Sequence, residues 1–154
     1  MCKKNWVQNG DDCYYWSLTT AHWAKAEKGC NYCKGHLASV TSETKNEFLL
    51  SELKKKNTTK PIWIGGSYEE EQGIWKWTDQ SSWGFENWAE NQTNKNCLCF
   101  SSTAITATEN IQPKWKTLDC NERLQYVCSV RLCSGIVDLS VTCILLYLYY
   151  LNCC

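Results

Sequence analysis

The chain has 154 residues, 44% of them hydrophobic, with nine Trp and only two Pro. That length and apolar content suit one domain with a real core and exclude a disordered chain. Sixteen basic side chains balance sixteen acidic ones, so no net field steers the molecule towards nucleic acid or an anionic membrane, and the run Lys54, Lys55, Lys56 reads as a solvated face at a helix end.

Residues 2–16 read as an opening hairpin: Asn9-Gly10-Asp11-Asp12 is a turn signal and Cys13-Tyr14-Tyr15-Trp16 is strand-like. A helix capped by Thr19 or Thr20 follows, with Trp23, Ala26 and Cys30 on one face. After the Lys34-Gly35 break, Leu37-Ala38-Ser39-Val40 is a short buried connection. A second helix starts near Thr41 or Ser42, with Glu43 favourable in its first turn and Phe48, Leu49 and Leu53 as its apolar stripe, and ends before Asn57. From Pro61 the texture is β. Ile62-Trp63-Ile64 is a buried strand ended by Gly65-Gly66, and Ile74-Trp75-Lys76-Trp77 alternates. Loop-rich sequence runs to Asn96, then Cys97 to Phe100, Lys114 to Thr117 and Tyr126-Val127-Cys128 are further strands. Two early helices and a late meander give an α+β class.

From Cys133 to Cys154 the chain holds eleven mostly apolar residues, Val141 to Leu151, too few for a bilayer span, which needs about 20. A short anchor, an extra strand and a read-through of the coding sequence all fit; the lack of a polar face favours read-through.

Twelve Cys in 154 residues is a density of oxidising compartments. Cys30-x-x-Cys33 gives zinc a foothold, but no second C-x-x-C follows at ribbon spacing and His22 and His36 are the only histidines. A thioredoxin-like role would need a strand before the pair, where a helical stretch stands instead. The sequons Asn57-Thr58-Thr59 and Asn91-Gln92-Thr93 agree with a secretory route. The chain opens Met1-Cys2-Lys3-Lys4 without a signal peptide or anchor, and a truncated N-terminus reconciles this with a secreted or extracellular product.

The order Cys2…Trp6…Cys13-Tyr14, Trp23…Cys30, His36-Leu37-Ala38-Ser39, Trp63-Ile64-Gly65-Gly66, Asn87-Trp88, Cys97, Trp115…Cys120 and Tyr126-Val127-Cys128 resembles the C-type lectin-like domain in its long form. The match covers residues 2–129 and is similar to soluble single-domain lectins of the pancreatic-stone-protein and fish types; residues 130–154 form the apolar, Cys-containing tail. The resemblance implies two helices packed on antiparallel sheets with a long loop region. It also implies the pairs Cys2 with Cys13, Cys30 with Cys128 and Cys97 with Cys120, each contributing about 2–4 kcal/mol. Cys99 shares a strand face with Cys97 and competes for Cys120; Cys33 and Cys99 are candidates for an extra bridge. The pairing of Cys33, Cys99, Cys133, Cys143, Cys153 and Cys154 stays open in the sequence.

In that family sugar is bound through Ca²⁺, held by a Glu-Pro-Asn or Gln-Pro-Asp triplet, a carboxylate just before the third conserved Cys, and a Trp-Asn-Asp triplet. Sugar hydroxyls complete the shell of six to eight oxygens. Here the first triplet reads Gln92-Thr93-Asn94, the carboxylate falls at Lys95, and the last triplet reads Trp115-Lys116-Thr117. Two lysines in and two carboxylates out make a site that repels Ca²⁺, unless a loop shift recruits Asp119. No metal or other cofactor is therefore expected, and Lys95 or Lys116 is expected to hold the loop through Gln92 and Asn94. A glycan on Asn91 would project from the same loop. Glu69, Glu70 and Glu71 read as a solvated hairpin tip, with contacts to a polar ligand as the alternative, and the resemblance implies that Trp63, Trp75, Trp77 and Trp88 are core. Trp83 and Phe85 read as packed within the loop, with an exposed sugar or partner platform as the alternative.

The expected function is extracellular recognition of a glycan or cell-surface glycoprotein, as in innate defence, without the calcium site. A protein-binding module on the same fold is the alternative, and ice binding would need a flat face. An enzyme is not expected: His22 and His36 lack an H-E-x-x-H or nucleophile context, and there is no phosphate-cradling glycine loop.

Overall fold

The structure, a computed structural model, describes residues 2–90, 93–101, 105–106, 109–110 and 112–132. Strands β1 (Val7–Asn9) and β2 (Asp12–Trp16) form the opening hairpin, pairing Val7 with Tyr14 and Asn9 with Asp12. Its turn places Gly10 at φ +59°, a left-handed conformation that glycine adopts without a Cβ penalty.

Helix α1 (Trp23–Tyr32) buries Ala26 and Cys30, with Trp23 half-buried beside them. It starts later than Thr19 or Thr20, behind His22, which makes no side-chain cap. The reason is tertiary. Ser17 N–H donates to Tyr126 O, and Ala21 exchanges both backbone bonds with Leu124, so the chain bends at Leu18 and Thr19 and is pinned at both ends before a helix can start. Trp23 N–H is satisfied by Cys120 O at 3.0 Å instead of by a cap. Strand β3 (His36–Leu37) leads through buried Ala38, Ser39 and Val40 to helix α2 (Glu43–Lys55). Ser42 caps α2, its side chain accepting from Lys45 N–H at 3.2 Å, with Glu43 in the first turn. Leu49, Leu50 and Leu53 are its buried face, and Phe48 packs beside them.

Strand β4 (Ile62–Glu69) does not stop at Gly65-Gly66 but runs through it. A Cβ on Gly65 would lie 2.4 Å from Leu37 O, and one on Gly66 2.5 Å from Leu98 Cδ2. The glycines therefore allow close packing against β3 and the next strand over, and do not end β4. The remaining strands are β5 (Ile74–Trp77), β6 (Cys97–Phe100), β7 (Ile105–Thr106), β8 (Glu109–Asn110), β9 (Trp115–Leu118) and β10 (Gln125–Arg131). The main sheet runs β1-β2-β10-β4-β6-β9, with β3 on β10 and β5 on β4, while β7 and β8 pair separately. It is mixed where antiparallel pairing was expected, because β10 lies parallel to β4 through Gln125↔Ile62 and Tyr126↔Trp63. Leu132 N–H donates to Asp11 O at 2.6 Å, so pairing continues past residue 129.

One core cluster joins Tyr14, Leu49, Leu53, Ile62, Ile64, Trp77, Leu98, Phe100, Trp115 and Val127; a second joins Ala26, Cys30, Leu37, Trp63, Cys97, Cys99 and Cys128. Trp63 is fully buried and donates through Nε1 to Ala21 O at 3.1 Å. The disulfides Cys2–Cys13, Cys30–Cys128 and Cys97–Cys120 are formed. Cys30–Cys128 ties α1 to β10 across 98 residues of sequence. A Cys33–Cys99 bridge is not: Cys99 is a free, buried thiol whose Sγ donates to Lys116 O at 3.3 Å. Cys33 is disulfide-bonded, and none of the other described cysteines is its partner. The tail from Cys133, with Cys143, Cys153 and Cys154, lies outside the described residues. Among those described, no helix is long and apolar enough to cross a membrane.

Candidate functional site

Tryptophans build the platform for the long loop. Trp83 lies over Trp77 at 4.6 Å and Trp75 at 5.9 Å, both with planes 24° apart. Trp115 of β9 presents edges to Trp77, Trp83, Phe85 and Trp88. Trp115 N–H donates to Asn87 O at 2.7 Å and Ala89 N–H donates to Trp115 O at 2.9 Å, so the loop is stitched to β9 through its backbone. Asn87 Nδ2 also reaches Asn46 Oδ1 of α2 at 3.3 Å. Trp83 and Phe85 thus pack against these rings, while Trp75 and Trp88, half-buried like them, line a cavity.

That cavity holds about 590 Å³ between the loop, the β4–β5 hairpin and β9. Tyr68 and Trp75, cross-strand partners on β4 and β5, form one wall with ring centroids 5.5 Å apart, and Trp88 lies 5.3 Å from Trp75. Glu70, Glu86 and Asn96 line it as well; Asn96 Nδ2 donates to Glu70 Oε1 at 2.6 Å and Trp83 Nε1 to Glu86 Oε1 at 2.7 Å.

Of the residues singled out in the sequence, Asn94, Lys95 and Thr117 line this cavity. Lys116 does not. Alternation along β9 places it opposite Cys99, on the other face from buried Thr117. Asp119 is exposed, with Oδ2 3.6 Å from Lys95 Nζ. Its carboxyl is held below the usual range first by the Asn121 N–H and then by the Lys95 ammonium. Lys95 is therefore engaged by Asp119. Gln92 and the sequon Asn91 lie outside the described residues; Asn57 is exposed just beyond α2. Tyr68, Glu86, Thr93 and Asn96 were not anticipated. The cross-strand match of Tyr68 with Trp75 was available only once the hairpin register was known.

Calcium does not fit these residues. Thr93 Oγ1 donates to Thr117 O at 2.7 Å, Thr117 Oγ1 donates to Thr93 O, and the two hydroxyls are 3.0 Å apart. Thr117 is 3% exposed, so the residue that the resemblance sets in place of the last acid is a buried hydroxyl tied to the loop, and Lys95 brings a positive charge beside it. A hard divalent cation needs six to eight oxygens, several of them anionic. Among the described residues no three His, Cys, Asp or Glu side chains converge to hold a metal ion.

The two-helix, disulfide-stapled α+β fold with its loop-borne cavity defines a recognition domain. The Lectin C-type domain family matches residues 19–130, and the chain belongs to that family. It is 28% identical over 129 residues to the type-2 ice-structuring protein of Hemitripterus americanus, covering 84% of this chain and 74% of that protein. It is 25% identical over 132 residues to the galactose-specific lectin nattectin of Thalassophryne nattereri, covering 85% and 81%. A crystal structure of a calcium-independent type II antifreeze protein superposes with a TM-score of 0.71 at 24% identity, covering 85% of this chain and 95% of that one. The chain spans 8% of the secretory phospholipase A2 receptor and 45% of asialoglycoprotein receptor 1, both of Mus musculus. Relatives thus include sugar-binding and calcium-independent proteins, and the family is one of binding domains, not enzymes.

Proposed function

We propose that this domain binds carbohydrate in the aromatic-walled cavity, without calcium, as an extracellular protein. The observation that carries this is the Thr93–Thr117 pair, a neutral, hydrogen-bonded lock at residues of the degraded calcium set, beside an open 590 Å³ cavity. Small-molecule sites combine apolar and aromatic walls with a few convergent polar groups, and Tyr68, Trp75 and Trp88 with Asn94, Asn96 and Glu86 supply that mixture. A sugar ring presents an apolar C–H face to such walls and hydroxyls to such acceptors. The relative named as galactose-specific supports a glycan as the ligand class. The three disulfides with both cysteines among the described residues and the two sequons support an oxidising, extracellular setting. A concave face with carboxylates at its rim does not suit ice.

The test is a glycan array probed with the oxidised full chain, once with Ca²⁺ and once with EDTA. Binding in both conditions is expected. Binding only with Ca²⁺ refutes the threonine lock. Silence in both, from a folded protein, refutes glycan binding and points to a protein partner.

A further inference from the structure

The cavity carries a charge pattern that goes beyond sugar binding. Glu70 and Glu86 both line it and both are exposed to it. Each is fixed through one oxygen by a neutral donor, Asn96 Nδ2 for Glu70 and Trp83 Nε1 for Glu86. Their Oε2 atoms have no hydrogen-bond partner, and neither carboxylate has an ion pair among the described residues. The nearby cations are engaged elsewhere, Lys76 by Glu69 and Lys95 by Asp119. Among the described residues the lining thus holds two uncompensated carboxylates against one ammonium that already has an acidic partner. Beside them stand Tyr68, Trp75 and Trp88, whose ring faces attract cations.

A neutral ligand entering this cavity would strip water from both glutamates and return no charge, which is costly. An anionic ligand would be repelled. A ligand with a fixed or protonated amine offsets both losses: it gives the free carboxylate oxygens a charge-assisted donor and gives the rings a cation. We infer that the cavity selects a cationic amino sugar, one whose ring nitrogen substituent is a free ammonium group rather than an acetamide. This rests on the glycan-binding proposal for the same cavity.

The test compares a glucosamine oligosaccharide with its fully N-acetylated counterpart, by calorimetry on the oxidised full chain with EDTA at mildly acidic pH, where the amine is protonated. The two ligands share rings and linkages and differ in charge. The glucosamine oligomer should bind about tenfold more tightly, the size of one favourable cation–aromatic or charge-assisted contact. Choline, which carries the cation without the sugar, should compete. Glu70→Gln and Glu86→Gln should each remove most of the preference; both positions are exposed, so unchanged urea midpoints will show that the fold is retained. Glu47→Gln, an exposed change on α2 outside the cavity, should leave the preference intact and so exclude general attraction of a polycation. Equal or tighter binding of the N-acetylated oligomer overturns the cation preference while leaving glycan binding in place. Choline binding with no oligosaccharide binding upholds the cation site and overturns the glycan proposal. Absence of all three overturns both.

Discussion

Cys99 offers a direct test of how the second core cluster is sealed. Its side chain is 0% exposed, and burial pushes its thiol up to about 12, against the opposing pull of the Lys116 ammonium. An unfolded chain releases that proton near pH 9, so above pH 9 the unfolded state binds fewer protons than the folded one and stability falls as pH rises. The loss proceeds at about 1.4 kcal/mol per pH unit until the folded pKa is reached near 12. Between pH 8 and pH 10 this amounts to about 1.4 kcal/mol from Cys99 alone. Tyr14 is also pushed up, by burial and then by the Asp12 carboxylate, so the comparison must cancel it. Cys99→Ala does so, because it removes only the thiol. At pH 8 the variant should be less stable by about 1 kcal/mol for its lost packing, and by pH 10 that deficit should vanish. Urea unfolding followed by tryptophan fluorescence measures both proteins, with coincident unfolding and refolding curves excluding disulfide exchange. A stability difference that stays constant from pH 8 to pH 10 would refute the sealed-thiol account.

Two further perturbations probe the loop platform and the strand junction. Trp83→Ala removes the ring that stacks on Trp75 and Trp77; it should cost about 3 kcal/mol, lower hydrogen-exchange protection of residues 79–90, and abolish ligand binding, whereas an unchanged urea midpoint would show that the loop does not depend on this ring. Gly65→Ala places a methyl 2.4 Å from Leu37 O, a backbone atom that cannot rotate away. Its expected cost is about 3 kcal/mol or more, read as a fall in thermal midpoint, and a neutral result would mean that β3 and β4 can separate freely.

Much of the fold was legible because local and tertiary demands agree there. The α2 start at Ser42, its stripe of leucines, the β6 limits and the hairpin turn at Gly10 all follow from side-chain pattern and capping chemistry. The misplacements have a common origin in distant segments. Thr19 and Thr20 are good caps that go unused because Leu124 and Tyr126 pair with the backbone beside them. Gly65-Gly66 carries a strand-ending signal that yields to the need of β3 and β6 to approach. The parallel contact of β10 with β4 joins residues 63 positions apart, and no pattern within either strand announces it.

The site divides along a similar line. The expectation of a degraded calcium site came from the resemblance, under which Lys95, Lys116 and Thr117 stand for an acid, an amide and an acid. What these residues do instead was not readable. Thr93 and Thr117 are ordinary exposed-loop and strand residues until the fold brings their hydroxyls to 3.0 Å, and Asp119 becomes the partner of Lys95 only when β9 ends where it does. The same holds for the cavity wall: the resemblance implies that Trp75 and Trp88 are core, yet both are half-buried and line the cavity. On the proposed reading, ligand affinity comes from the aromatic wall and the free oxygens of Glu70 and Glu86. The same reading moves charge selectivity from a bound cation that would draw oxygens to fixed carboxylates that draw a cation, a reversal of sign at the same face of the fold.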